Sequence, residues 1–508
     1  MLFTTGEIYK HNSRLGQIIG ITTFKYNTTL YHFKKIQYAK PPLASLRFKK
    51  PEQFGSWEGA LNGTEYGPNC MQFVYENDKR LIPNLETSED CLHLNMFAPT
   101  DLNRNSRRPV MIWIHGGAFT NGQGMMFDGS KLAAVGDVIL VTINYRLNIF
   151  GFVNVGKEST RNIGLLDQRF AIEWVKDNIK DYGGNPEMIT IFGKSTGGTS
   201  VQLQSMIPKN RGLFQRAIAQ SAYMDGIRDS DNYEKLTRNT GGILNCSVCK
   251  TETISCLDCL KNVSAVHLLN AYAKSAHNLD NEFSLASKIG AIGPTVDNEL
   301  IPGIPINILT YPDSEASQMF NSIDYIAGSN DFEGGLFYLS LLGEKNFNLD
   351  LEKGIPSHII CNLFAPYVTR VFYKDCEVVS QEICKKYSPT DTTNSLSMET
   401  IFSANAYADF EFASLASKDL NFHSRSQRGT YQYLLTHEPN WGLIQTRPSW
   451  LVGANHADEL VFLFGWENWY PTDIAVTQYE DDLSSKMMQF WLNFAKTGYG
   501  FIRVKLFF

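Results

Sequence analysis

The pentad GKSTG at positions 193–197 constrains the fold of this chain more than any other segment. It follows 187–192, an apolar and β-branched stretch that predicts a buried strand, and it precedes 198–203, which can open a helix. A strand, a sharp turn and a helix form a nucleophile elbow, in which the strained turn exposes the serine hydroxyl. Glycines two positions before and after the serine leave room for neighbouring backbone to pass closely. We therefore expect Ser195 to be an exposed nucleophile.

Short apolar strands alternate with amphipathic helices along the rest of the chain. The other predicted strands lie at 109–114, 138–143, 217–220, 325–327 and 431–434. Helices are predicted over 165–180, which a glycine pair follows, and over 478–496. This alternation predicts the α/β class, with a large and mainly parallel central sheet flanked by helices on both faces.

The charge and hydropathy of the chain exclude several kinds of partner. A net charge of −6 and a pI near 6.0 leave no basic surface for nucleic acid or an anionic membrane. No apolar run in the sequence approaches the roughly 18 residues that a transmembrane helix needs. We therefore predict a soluble protein without a nucleic-acid partner or a transmembrane anchor, and we leave its oligomeric state open.

The sequence gives two indications of the cellular compartment, and they conflict. Met1–Glu7 lacks the charged and apolar regions of a signal peptide, which alone would indicate the cytoplasm. Four Asn-x-Ser/Thr sequons and nine cysteines favour secretion instead. The candidate glycosylation sites are Asn27, Asn62, Asn245 and Asn262. We expect a secreted or extracellular glycoprotein whose leader is missing from this sequence, with the cytoplasm as the alternative.

A serine that performs acyl transfer needs a base to take its proton and an acid to orient that base. On an α/β sheet with a nucleophile elbow, the chain order is Ser, then Asp or Glu, then His. His456 is the best-supported base, because it lies in a glycine-containing loop ahead of an apolar segment. The segment 328–334 follows a predicted strand and offers Asp331 and Glu333 as acids. Position alone does not choose between them.

The sequence HGGAF at 115–119 is a candidate oxyanion loop, since it follows the predicted strand that ends at Ile114. Small residues there let backbone N–H groups point at one oxygen without an intervening side chain. An isolated HGG would more simply form a tight turn. The elbow downstream favours the oxyanion interpretation.

Further segments of the chain resemble type-B carboxylesterases, the α/β-hydrolase group that includes cholinesterases and the non-catalytic neuroligins. The matching blocks are YAKPP at 38–42, LRF at 46–48, SEDCL at 88–92, NYRL at 144–147, NIGLLDQ at 162–168, GGNP at 183–186 and FWLNFAKTG at 490–498. The resemblance extends from Gly16 to Gly498 and implies a single α/β-hydrolase domain over 1–508. Residues 499–508 depart from the family pattern, and we expect an atypical or truncated end there.

The resemblance also implies roles for the candidate residues. Ser195 falls on the family's nucleophile, Glu333 on its acid and His456 on its base. The implied oxyanion donors are the backbone N–H groups of Gly117, Ala118 and Thr196. The implied reaction is hydrolysis of small-molecule carboxylic esters through an acyl-enzyme, without a metal or other cofactor. The alternative is an adhesion or binding module of neuroligin type with weak or no turnover, and the intact set of three catalytic residues favours the enzyme.

Lys194 is the largest departure from the family, which usually has Glu before the nucleophile. An ammonium beside the base would disfavour the imidazolium that forms during the reaction. At about 4 Å and an effective dielectric constant near 20, this interaction is on the order of 4 kcal/mol. We hypothesise that Lys194 reduces turnover or favours anionic acyl groups. The alternative is that its side chain extends into water or pairs with a nearby carboxylate.

Two other departures concern the oxyanion loop and choline recognition. Thr196 replaces the usual Ala and Ala118 replaces a Gly, which we expect to be tolerated with some crowding. The stretch between Cys70 and Cys91 has no Trp, so a cation-binding element of cholinesterases is missing together with the Glu before the nucleophile. Cholinesterase activity is therefore not expected.

The cysteines allow two interpretations. The resemblance implies a disulfide between Cys70 and Cys91. Four more cysteines form C-x2-C-x6-C-x2-C, namely Cys246, Cys249, Cys256 and Cys259. Four thiolates can bind zinc, but flanking sequons and a short spacer favour disulfides of open pairing, and we predict no metal site. Cys361, Cys376 and Cys384 leave one thiol over.

Overall fold

The computed structural model describes residues 6–73, 86–156, 159–222, 227, 231–279, 292–297, 299–336, 360–372, 376–387, 396–440, 442, 448, 450–465 and 476–499. The strands within these ranges are β1 (Glu7–Ser13), β2 (Gly16–Lys25), β3 (Thr28–Gln37), β4 (Ala60–Asn62), β5 (Asn69–Cys70), β6 (Thr87–Ser88), β7 (His93–Pro99), β8 (Arg108–Ile114), β9 (Ile139–Ile143), β10 (Gly184–Lys194), β11 (Arg216–Gln220), β12 (Asp324–Asn330) and β13 (Thr430–Leu435). All except β5 and β6 belong to one sheet, in the order β1-β2-β3-β7-β9-β8-β10-β11-β12-β13, with β4 paired to β2.

The large sheet is mixed, with two halves of different direction. The pairings from β9 through β8, β10, β11 and β12 to β13 are parallel. Those from β1 through β2, β3 and β7 to β9 are antiparallel. The α/β class and the central parallel strands are confirmed, whereas the antiparallel half was not predicted. Its outer strands are only partly buried, so they lack the continuous apolar runs that identified the buried parallel strands.

Helices cover both faces of this sheet. Those within the described ranges are α1 (Ser130–Gly136), α2 (Asn148–Phe152), α3 (Ile163–Asn178), α4 (Thr196–Gln204), α5 (Asp231–Ile243), α6 (Thr253–Lys261), α7 (Ala265–Leu279), α8 (Pro305–Ile308), α9 (Glu315–Phe320), α10 (Ala365–Phe372), α11 (Glu377–Tyr387), α12 (Leu396–Ala408), α13 (Ser414–His423), α14 (Glu459–Phe464) and α15 (Gln478–Thr497). The predicted helices at 165–180 and 478–496 correspond to α3 and α15. A capping box at Thr477 and Glu480 begins α15, and Gly498 ends it in a left-handed conformation.

Two hydrophobic clusters form the core, one on each face of the sheet. Alternate residues of β8 point in opposite directions, so Val110 and Ile112 join one cluster while Met111 and Trp113 join the other. The ring of Trp113 packs edge-on against that of Phe464 in α14, with centroids 4.9 Å apart. The parallel strands are thereby buried on both sides and form a rigid platform.

Disulfides link cysteines at several places, and some of these cysteines are buried within one of the two hydrophobic clusters. The structure contains Cys70–Cys91, the nested pair Cys246–Cys259 and Cys249–Cys256, and Cys361–Cys384, while Cys376 is free. The four clustered cysteines, whose pairing the sequence left open, therefore connect outer to outer and inner to inner. All four sequon asparagines are exposed. None of the helices in the described ranges combines the length and apolar character needed to cross a bilayer.

Candidate active site

The loops that carry the candidate residues all leave the same edge of the sheet. The oxyanion loop follows β8, Ser195 follows β10, and the acid loop follows β12. The loop with His456 comes after β13. Because these four strands are parallel, their carboxyl ends lie together, which is where open α/β sheets place their ligands.

Ser195 lies in the sharp turn that the sequence predicted. It falls between the last residue of β10 and the first residue of α4, with φ 58° and ψ −128°. This is a strained conformation for a residue with a side chain. Ser195 is partly exposed, although the residues on either side of it are buried. The turn therefore leaves Ser195 partly accessible at the edge of the sheet.

The two glycines of the pentad are required by close backbone packing. A Cβ atom on Gly193 would lie 2.5 Å from the carbonyl oxygen of Ile114, and one on Gly197 would lie 2.1 Å from the same oxygen. No side chain fits at either distance. The expectation that these glycines admit neighbouring backbone is confirmed, and the neighbour is the end of β8.

Glu333 is the carboxylate that contacts His456. Its Oε2 accepts a hydrogen bond from Nδ1 of His456, and its Oε1 accepts from Ser221 Oγ at 2.5 Å and from the backbone N–H of Asn330 at 2.8 Å. Burial alone would raise the pKa of Glu333, but its interaction with His456 and the hydrogen bonds from Ser221 and Asn330 outweigh burial and lower it. Glu333 is therefore an ionised acceptor.

Asp331, the other candidate acid, binds the backbone of the histidine loop and not the imidazole. Its Oδ1 accepts the backbone N–H of Ala454 at 2.8 Å, two residues before His456. Phe332 forms a parallel bridge with Asn455, and its N–H donates to the carbonyl of Ala454 at 2.9 Å. The acid loop is thus fastened to the histidine loop by backbone contacts, which fix the distance between Glu333 and the imidazole.

The candidate oxyanion loop lies directly against the elbow. A Cβ atom on Gly116 would be 3.0 Å from Cβ of Ser195. Three consecutive residues then have positive φ, with 119° at Gly117, 56° at Ala118 and 58° at Phe119. The N–H of Thr120 donates to the carbonyl of Gly117 at 3.0 Å. The segment is thus a tight turn that also brings its backbone beside the nucleophile.

Lys194 points into the protein, with 8% of its surface exposed. The ion pairs among the residues that the structure describes do not include it, and the carboxylates that act on it electrostatically are Glu459, Glu333 and Asp458. Burial lowers the pKa of Lys194 to about 8, against the opposing effect of these three groups. Of the outcomes considered from the sequence, extension into water is wrong.

Burial and the neighbouring charge of Lys194 lower the pKa of His456. The largest cause is burial, the second is the positive charge of Lys194, and Glu333 acts in the opposite direction. The ring of Phe412 covers the imidazole, with centroids 5.0 Å apart. In the free protein His456 is therefore neutral, which is the state in which an imidazole can accept a proton.

Glu459 belongs to this cluster, although sequence reasoning assigned it no role. Its carboxylate accepts hydrogen bonds from Asn330 Nδ2 at 2.8 Å and Gln220 Nε2 at 3.3 Å. Burial raises the pKa of Glu459 to about 7, while Lys194 opposes that rise. The sequence signal that could have identified Glu459 is its place three residues after His456, at the start of an apolar helix.

Comparisons with known proteins identify the family to which the chain is similar. Residues 9–500 match the model of the carboxylesterase family. Carboxylesterase 1D of Mus musculus is 33% identical over 497 residues, covering 95% of this chain and 84% of that protein. Carboxylesterase 5A of Canis lupus familiaris is 33% identical over 508 residues, covering 96% and 81%. Acylcarnitine hydrolase of Mus musculus is 32% identical over 500 residues, covering 96% and 83%. Each of the three relatives aligns with more than nine-tenths of this chain.

Proposed function

This chain belongs to the carboxylesterase family and is a serine ester hydrolase, and we propose that it cleaves carboxylic esters through Ser195, His456 and Glu333. The observation that carries the proposal is the hydrogen bond between Glu333 and Nδ1 of His456, at the sheet edge where a strained turn exposes Ser195. An ionised carboxylate can only accept, so Nδ1 carries the proton and Nε2 is left to accept one. That is the tautomer a general base requires.

The proposed reaction has two stages. Oγ of Ser195 attacks the ester carbonyl while Nε2 of His456 takes its proton, and the imidazolium then protonates the departing alcohol. A water molecule next attacks the acyl-enzyme with His456 as base, which releases the carboxylic acid and restores Ser195. Glu333 stabilises the imidazolium in both stages. The backbone N–H groups of Gly117, Ala118 and Thr196 would bind the negatively charged oxygen.

The binding-module alternative is less well supported. The relatives reported above carry the names of hydrolases, and the strain at Ser195 has no evident purpose in a surface that only adheres. Exposed sequons and disulfides support secretion, which we retain as part of the proposal.

Covalent labelling tests the proposed nucleophile. The folded protein should react with a fluorophosphonate probe, and peptide mapping should place the label on Ser195, because only an activated serine displaces fluoride rapidly. Heat-denatured protein is the control and should stay unlabelled. Folded protein that takes up no label at Ser195 would rule out the proposed mechanism.

Lys194 should set the pH range of activity. Lys194→Met removes a buried positive charge near His456, so the pKa of His456 should rise. The acidic limb of kcat/KM on a neutral ester should then move to higher pH by about one unit, equivalent to about 1.4 kcal/mol. Lys194→Glu should move it further in the same direction. The same two changes should lower the preference for an ester of an anionic acyl group over a neutral one.

The pKa of Lys194 itself provides a second check on this effect. Lys194 loses its charge as the pH rises through about 8, so the wild type and Lys194→Met should converge above that pH. Lys209→Met, which alters an exposed lysine, is the matched control. Coincident acidic limbs in wild type, Lys194→Met and Lys194→Glu would contradict the assignment.

A further inference from the structure

The side chain of Thr196 touches the oxyanion loop as well as the elbow. Its Oγ1 accepts a hydrogen bond from the backbone N–H of Phe119 at 3.3 Å, and only 7% of Thr196 is exposed. Thr196 is the first residue of α4 and follows Ser195 directly. Alanine, which the family resemblance leads one to expect at this position, has no oxygen to accept that hydrogen bond. The contact therefore depends on the residue that this chain has in place of alanine.

The loop on the other side of this contact needs external support. Ala118 and Phe119 are consecutive residues with side chains, and both have left-handed backbone angles. Such a conformation persists where surrounding contacts determine it and relaxes where they do not. A loop of this kind is a poor scaffold for two precisely aimed N–H groups unless something holds it in place.

Both backbone polar groups of Phe119 form hydrogen bonds. Its carbonyl accepts from the N–H of Asn148 at 2.7 Å, and its N–H donates to Oγ1 of Thr196. Its ring packs against Phe152, with centroids 5.0 Å apart. Asn148 and Phe152 belong to α2, whereas Thr196 belongs to the elbow. The threonine hydroxyl is thus a direct link between the loop and the residue next to the nucleophile.

We propose that the Thr196 hydroxyl is a positioning group, which holds the Phe119 N–H and thereby aims the N–H groups of Gly117 and Ala118 at the acyl oxygen. Its effect on rate rests on the proposed function, since it requires turnover at Ser195. Without the hydroxyl, a buried N–H loses its acceptor and the strained loop can relax. The oxygen becomes negatively charged in the transition state, so the loss should appear in kcat rather than KM.

Three substitutions at one position separate the hydroxyl from the methyl group. Thr196→Val keeps the shape and removes the acceptor, while Thr196→Ser keeps the acceptor and removes the methyl. Thr196→Val should lower kcat about 10- to 100-fold with little change in KM, and Thr196→Ser should stay within about threefold of wild type. Thr196→Ala should behave like Thr196→Val, and it supplies a smaller variant if valine prevents folding. Wild-type kcat in Thr196→Val and Thr196→Ala, or equal losses in the serine and valine variants, would overturn the proposal.

Crystal structures of wild type and the Thr196 variants measure the loop position, which does not depend on activity. The backbone of Gly117–Phe119 should shift away from Ser195 in Thr196→Val or Thr196→Ala and superpose on wild type in Thr196→Ser. An unmoved loop in the variants without a hydroxyl would refute the positioning role. If wild type hydrolyses no ester, the proposed function fails, and the loop positions still decide this inference.

Discussion

Ser195→Ala is expected to lower kcat for a chromogenic ester by on the order of 10⁶-fold, the scale of loss when the nucleophile of a serine hydrolase is removed. The residual rate would come from water that attacks an ester bound near the oxyanion donors. Alanine fits the turn no worse than serine, because both residues have a Cβ atom at φ 58°. The loss should therefore occur with an unchanged melting temperature. Stopped assays with purified variant and thermal unfolding measure the two quantities.

Ser485→Ala, at an exposed serine on α15, is the matched control and should retain full activity. A Ser195→Ala variant with more than about one per cent of wild-type kcat would contradict covalent catalysis by this residue.

Glu333→Gln is expected to lower kcat on the order of 10⁴-fold, with a smaller change in KM. The amide of glutamine can donate a hydrogen bond to Nδ1 of His456, so the ring proton would move to Nε2. A protonated Nε2 cannot accept the proton of Ser195. The positive imidazolium would also lose its ionised partner inside a buried site. Steady-state kinetics over a range of pH would show a loss that raising the pH does not recover.

Asp331→Asn is the control for this change. Its amide oxygen can still accept the N–H of Ala454, and the residue does not contact the imidazole, so kcat should fall less than about tenfold. A loss as large as that of Glu333→Gln would mean that the assignment of the acid is wrong.

The parallel half of the fold was predictable because its strands are buried on both faces. Apolar runs such as 109–114 and 138–143 correspond closely to β8 and β9. Strands β1 and β2 mix exposed, partly buried and buried residues. They therefore lack an apolar run from which a strand could be predicted. Strands β8 and β9 could thus be predicted from the sequence because they are buried on both faces.

The site was predictable where chemistry follows from local sequence. The elbow at Ser195 needs glycines at fixed distances, and they appear in the sequence. The proximity of Lys194 to Glu459 and the contact of Thr196 with Phe119 depend on segments that are distant in the chain. Sequence position also did not distinguish Asp331 from Glu333, since both lie in the same loop. They differ in their contacts with the histidine loop, where Asp331 binds the backbone of Ala454 and Glu333 binds the imidazole of His456.

The wide separation of His456 and Glu333, 123 residues apart, has a consequence during protein synthesis. A chain that emerges from the ribosome completes the elbow first, the acid loop later and the histidine loop last of the three. In the proposed mechanism, Ser195 has no base and remains an ordinary alcohol until the histidine loop docks on Phe332. On this proposal, a nascent chain is inert towards esters, and reactivity begins only after β13 has formed and the histidine loop has docked.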